Sequence, residues 1–175
     1  MILTLFPFKG ASEGILIFLK EALPKRLPSL SCKSGPPLSL PPLGFDPLRG
    51  QWQAEALLTH LAQSSDPTSL RLGVTGEDLY SPGLNFVFGL ALIGRGLAIF
   101  SYHRLRESFY GRPDNQKLLC LRALKEALHE LGHALGLRHC HRWCVMRFSN
   151  CLEEVDEKPD TFCSNCLKRL GLPLG

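Results

Sequence analysis

The sequence predicts an α/β (α+β) fold with a twisted mixed sheet, one long helix and a small C-terminal lobe. Three observations predict it. Short apolar runs, RLGVT, LNFVFGLALI and GLAIFSYHRL, are rich in β-branched and aromatic residues and separated by Gly and Pro, as strands of one sheet are. Leu121, Leu124, Leu128, Leu131 and Leu135 recur at spacings of 3, 4, 3 and 4 and stop at Gly136, the period of an amphipathic helix. Beyond that glycine the tail is too short and polar to build a core of its own, and it carries closely spaced cysteines.

Taken in order, MILTLFPF reads as a first strand and GILIFLKEAL as a further strand or the start of a helix. In GPPLSLPPLGFDPLRG, Pro36, Pro37, Pro41, Pro42 and Pro47 remove amide donors and fix φ, so neither a helix nor a central strand runs through it. QWQAEALLTHLAQS then sets Trp52, Leu57, Leu58 and Leu61 at near-helical spacing, and Pro67 ends the pattern, giving a first amphipathic helix. The three strand-like runs follow in series and predict an antiparallel portion of the sheet. Pro113 and Asp114 offer the start of the second helix, which carries the leucine stripe to Gly136. CSNCLKRLGL reads as a closing helix. The whole is one domain over residues 1–175, with an N-terminal subdomain over 1–136 and a C-terminal subdomain over 137–175.

Composition narrows the class. The 175 residues are 45% hydrophobic, enough for one domain with a core. A formal charge of +4 with Lys and Arg spread along the chain does not point to nucleic acid. MILTLFPFKG lacks a basic leader, and GILIFLK falls far short of the roughly 20 residues a membrane span needs. Seven cysteines, an odd number, fit poorly with a fully paired disulfide framework. Two close pairs, Cys140 with Cys144 and Cys163 with Cys166, look more like thiolates held for a metal. The expectation is a soluble, cytoplasmic monomer without an export signal.

The chemistry lies in HELGHALGLRHC, residues 129 to 140. At 100° per residue His129 and His133 lie about 40° apart on the helix, and their mean direction is roughly 140° from the leucine stripe. Two neutral imidazoles one turn apart can both reach one zinc, and Glu130 beside them stays free to accept a proton from a water. HExxH alone is a weak signal. The continuation strengthens it: Gly136 can take φ > 0 and turn the chain so that His139 approaches the same metal. HExxHxxGxxH supplies three imidazoles and leaves a fourth position open, the catalytic rather than the structural pattern.

Cys140 follows His139 directly, and their side chains diverge, so one segment can serve two metals on the order of 10 Å apart. Cys140, Cys144, Cys163 and Cys166 form a four-thiolate set that would be closed to substrate and would tie the C-terminal tail to the end of the helix. The reading is therefore of two zinc ions, one catalytic and one structural.

These strings, HELGHALGLRHC followed by CVM and CSNC, resemble the archaemetzincins, a branch of the metzincin zinc peptidases. LGVTGEDLYSPGLNFVFG and AIFSYHRLR look like that family's central strands and its cleft-edge strand. The resemblance covers most of the chain. It implies a metzincin-like zincin fold and a zinc metallopeptidase that hydrolyses peptide bonds. It assigns the catalytic zinc to His129, His133 and His139, the general base to Glu130, the structural zinc to the four cysteines, and the Met-turn to Met146, an apolar thioether beneath the imidazoles. Two loops depart from the family pattern. Three residues rather than four separate Cys140 from Cys144, and sixteen rather than seventeen separate Met146 from Cys163. Cys151 and His141 are therefore spare ligands, while Cys32 and Cys120 are taken as non-ligands.

As a peptidase the chain would hold an extended peptide along an edge strand, SYHRL or its neighbour, by main-chain hydrogen bonds. Some archaemetzincins look like aminopeptidases, so removal of an N-terminal residue and internal cleavage both stay open. The rival class is a zinc-stabilised binding or scaffold protein with an empty or inert HExxH site.

Overall fold

The computed structural model describes residues 1–64 and 69–173. A five-stranded sheet has the order β2-β1-β5-β8-β7. In it β1 (Ile2–Pro7), β2 (Ser31–Ser34), β5 (Leu70–Thr75) and β8 (Leu97–Ser101) run parallel, and β7 (Gly89–Leu92) pairs antiparallel with β8 at one edge. A second sheet joins β3 (Phe45–Asp46), β4 (Gln51–Gln53) and β6 (Leu79–Tyr80).

The central strands β5 and β8 are buried along their whole length, as parallel strands covered on both faces must be. Their side chains alternate between two cores. Leu72, Val74, Ala98 and Phe100 face α1 (Glu13–Arg26) and α3 (Gln116–Ala134), while Phe6, Phe8, Leu97 and Ile99 face α2 (Ala54–Ala62). The antiparallel portion expected of three strands in series is confined to the β7–β8 hairpin; β5 and β8 are parallel neighbours.

GILIFLKEAL, open between strand and helix in sequence, is helical. Ser12 caps α1 by accepting a hydrogen bond from the Ile15 amide, and Ile15, Leu19, Ala22 and Leu23 give it a buried stripe. Trp52 lies in β4, before α2, which keeps Leu57, Leu58 and Leu61 on its buried face. Pro67, expected to end that pattern, lies outside the described residues. The proline-rich stretch holds the 3₁₀ turn Pro42–Gly44, the two residues of β3 and a single parallel bridge from Leu38 to Phe8. Asn115, rather than Pro113 or Asp114, caps α3 by accepting from the Leu118 amide. The tail adds a short helix the sequence did not predict, α4 (Leu152–Glu157), and the closing helix α5 (Ser164–Arg169). No helix among the described residues is long and apolar enough to cross a membrane.

The long helix differs from a simple amphipathic one. Leu121 is 39% exposed, so the packed stripe begins at Leu124 and runs through Leu128 and Leu131. The opposite face is buried as well and is charged. Arg122 binds Asp156 at 2.7 Å and donates to the Leu105 carbonyl, and Lys125 donates to the carbonyls of Val155 and Asp156. Lys158 lies 2.7 Å from Glu126. The tail thus docks on α3 through a ladder of charges whose partners offset the cost of burial.

Candidate metal and active site

α3 ends by presenting two histidines and then turning sharply. Leu135 closes the helix and Gly136 takes φ 103°. The Gly136 amide donates to the His133 carbonyl and the Leu137 amide to the Gly132 carbonyl, the paired bonds of a Schellman stop. That glycine turn throws the chain back so that His139 meets His129 and His133. The three rings have centroid separations of 4.7, 5.3 and 4.8 Å, and one ring nitrogen of each lies within 4.8 Å of the others.

Backbone carbonyls orient the first two rings. His129 Nδ1 lies 2.9 Å from the Val145 carbonyl and His133 Nδ1 2.9 Å from the Leu137 carbonyl, so in each neutral ring Nδ1 carries the hydrogen and Nε2 holds a lone pair. The two Nε2 atoms face one another at 3.2 Å. Two lone pairs at that distance repel, and a cation between them relieves the repulsion. Burial pushes all three imidazole pKa values down from 6.5, that of His129 furthest, with the Lys158 charge adding to the effect. Neutral imidazoles are the form that ligates metal. The donor set therefore fits a zinc ion.

Glu130 is buried beside His129, and burial pushes its carboxyl well above the usual range, with Glu126 acting in the same direction. The edge strand passes over it. A Cβ built on Gly89 would lie 2.6 Å from both Glu130 Cγ and Oε1, so only glycine leaves room for the carboxylate. β7 and α3 border a cleft of about 490 Å³ lined by the three histidines and Glu130, with Phe86, Phe88, Ala91, Ile93 and Phe148 as its apolar walls. SYHRL, one of the two stretches expected to form the cleft edge, belongs to the interior: β8 lies between β5 and β7, and the chain leaves it in the 3₁₀ turn His103–Leu105. The neighbouring β7 has the edge.

Met146 is fully buried. A Cβ on Gly132, midway between Glu130 and Ala134, would overlap Met146 Sδ and lie 3.0 Å from its Cε. The thioether thus packs directly beneath the helix backbone between the histidines. The same loop is stitched to the site by the His129–Val145 bond and by the Cys140 amide, which donates to the Met146 carbonyl.

On the far side of His139, the sulfurs of Cys140, Cys144, Cys163 and Cys166 lie within 4.8 Å of one another. The shortened loop still brings Cys144 to the other three. Cys151 stands at the head of α4 and His141 is exposed; neither belongs to this cluster. Burial raises the Cys144 and Cys166 thiols. Burial also acts to raise Cys163, but hydrogen bonds from the Cys166 amide and from the neighbouring thiols outweigh it and bring Cys163 down to about 7. Four sulfurs gathered this closely suit a dication held by all of them.

Sequence reasoning missed Gly89, Glu126 and Lys158. For Glu126 a signal existed: Arg122, Lys125, Glu126, His129, Glu130 and His133 recur at helical spacing, as the leucines do. Nothing in the sequence marks Gly89 or Lys158.

Residues 45–171 match the model of Peptidase family M54. The chain is 41% identical over 165 residues to an archaemetzincin of Methanocaldococcus jannaschii, covering 94% of this chain and 89% of that protein. Over 105 residues it is 54% identical to an archaemetzincin of Pyrococcus furiosus, covering 59% and 55%. Among solved structures, an archaemetzincin from Methanopyrus kandleri superposes with a TM-score of 0.86 at 39% identity, covering 98% of this chain and 93% of that one. One from Archaeoglobus fulgidus, crystallised with malonate, gives 0.84 at 34% identity, covering 97% and 99%. The charged-backed helix, the glycine turn and the histidine and cysteine clusters therefore stand in a chain that belongs to the archaemetzincins, Peptidase family M54, and is a zinc metallopeptidase.

Proposed function

We propose that His129, His133 and His139 hold the catalytic zinc, that Cys140, Cys144, Cys163 and Cys166 hold a second, structural zinc, and that Glu130 is the general base of peptide-bond hydrolysis. The observation that carries this reading is the pair of Nε2 atoms 3.2 Å apart, with both Nδ1 atoms fixed on carbonyls and Glu130 buried beside them. Zinc held there supplies a Lewis acid that polarises the scissile carbonyl and brings the pKa of a water toward about 7.

The remaining work falls to the chain. Among the described residues β7 pairs with β8 alone, so alternate amides and carbonyls along its other side are placed to receive an extended peptide as an added strand. Its residues Gly89, Leu90 and Ala91 line the cleft, which brings a peptide bound along them over Glu130. Glu130 accepts the proton of the attacking water and passes it to the leaving amine. Burial suits both halves of that transfer, because a raised carboxyl pKa makes a stronger base and holds the proton until the amine is ready. Met146 acts as a Met-turn methionine, packing under the helix without coordinating metal.

Glu130→Gln tests the assignment. The amide keeps the shape but cannot take the proton, so metal content stays at the parent value while cleavage of a peptide library falls at least about 100-fold. Unchanged cleavage by pure Glu130→Gln would assign the activity to another group. Running the same digest on free and N-acetylated peptides separates aminopeptidase action from internal cleavage.

A further inference from the structure

Beside the histidine site lies a buried ion pair for which peptide hydrolysis, as described above, has no use. The Lys158 and Glu126 side chains are 1% and 3% exposed, and Lys158 Nζ lies 2.7 Å from Glu126 Oε1. That oxygen receives no well-aligned hydrogen bond, so charge rather than directed bonding holds the contact. The same ammonium points toward the Arg147 carbonyl at 3.5 Å, directly after Met146. Glu126 lies one helical turn before Glu130 and three residues before His129, and it lines the same cleft as the three imidazoles.

A buried ammonium so near a cation site is a liability. Lys158 Nζ lies 2.7 Å from a side chain that lines the cleft with His129, His133 and His139, and a positive charge buried that close to the three imidazoles repels a dication held by them. Such a lysine serves the fold by reaching both the helix and the Met146 loop, yet alone it would weaken metal binding.

We infer that Glu126 is a charge-balancing residue of the histidine site: its carboxylate cancels the Lys158 ammonium, so that the lysine can anchor the Met146 loop without repelling the metal ion. The inference rests on the reading of the three histidines as zinc ligands. It separates the pair from an ordinary structural latch, because a latch is damaged equally by loss of either partner. Charge balance instead gives the two single substitutions different effects on metal affinity.

The test is Co²⁺ titration of the full chain after mild chelation has emptied only the histidine site, followed by absorption spectroscopy. Uptake by the thiolates shows charge-transfer bands in the near ultraviolet that imidazole ligation lacks, so the two sites are read separately. Glu126→Gln should weaken Co²⁺ binding at the imidazoles at least about tenfold, the scale of one uncompensated charge at short range in a protein. Lys158→Met should bind at least as tightly as the parent, and the double substitution should return to within about threefold of it. Comparable weakening by both single substitutions, with matching falls in melting temperature, would overturn the inference and leave a latch. Should Glu126→Gln not fold, Lys158→Met against Lys158→Arg decides. The arginine variant should match the parent and the methionine variant should not weaken; a Lys158→Met affinity more than about tenfold below that of Lys158→Arg overturns the charge-balance role. A parent chain that takes up Co²⁺ only through thiolates would instead sink the underlying histidine-site reading.

Discussion

Two contacts at the site depend on side chains that are absent. Gly89 lets the edge strand lie against Glu130, and Gly132 lets Met146 rise to the helix backbone. Gly89→Ala is the sharper experiment, since the added methyl meets Glu130, the proposed general base, while the three histidines proposed as zinc ligands stay untouched. The carboxylate must move by about an ångström, and a displacement of that size costs on the order of 100-fold in rate. The expected result is therefore a kcat lowered by about 10–100-fold with metal content and melting temperature near the parent values. An unaltered kcat would show that Glu130 has freedom to shift without loss. His129, Glu130, His133 and His139 were legible in the sequence because HExxHxxGxxH is a local string on one helix and its exit turn. Gly89 was not, because its partner lies 41 positions further along the chain and the close approach arises only when sheet and helix pack.

At the scale of the element, α3 carries two buried faces. The leucine face packs on the sheet, and the charged face receives the tail through Arg122, Lys125 and Glu126. The tail's two short helices, six residues each, are below the length at which helices persist on their own. A structural zinc on the four thiolates would supply the missing stability, since such sites contribute about 10 kcal/mol or more to folding. Cys163→Ser or Cys166→Ser should accordingly release that zinc and lower the melting temperature by more than about 5 °C, a shift that a loss of only 2 kcal/mol would already approach in a chain this long. Cys151→Ser should change neither zinc content nor melting temperature. Elemental analysis with thermal melts checks all three variants; loss of zinc in Cys151→Ser would move the fourth ligand from Cys144 to Cys151.

For the whole molecule, the two proposed zinc sites differ in how they are held. Three neutral imidazoles with an open position bind less tightly than four thiolates, and the histidine cleft is open to solvent at His139, which is exposed, whereas Cys144 and Cys166 are buried. Stepwise chelation should therefore remove the histidine zinc first, ending activity while leaving the circular dichroism spectrum intact. The second equivalent should leave together with tail structure. Loss of structure with the first equivalent would show that the catalytic and structural roles are reversed.

The residues alone announced the helix, its glycine stop, the two donor sets and the family, because each is written in short-range spacing: 3 and 4 for the leucines, 4 and 6 for the histidines, 4 and 3 within the cysteine pairs. They also announced the mixed sheet, from apolar runs broken by Gly and Pro. Strand order was not so written. Whether β7 or β8 takes the edge depends on which strand finds β5 as its neighbour, and that is settled by the burial of both faces of β8 between two helical layers. Nor was the charged face of α3 legible as buried. Arg122, Lys125 and Glu126 carry no mark of burial in the sequence; Asp156, the Val155 carbonyl and Lys158 come from about 30 residues downstream to pair with them. A charge's preference for water or protein depends on the partner it meets, and only the tertiary structure supplies that partner.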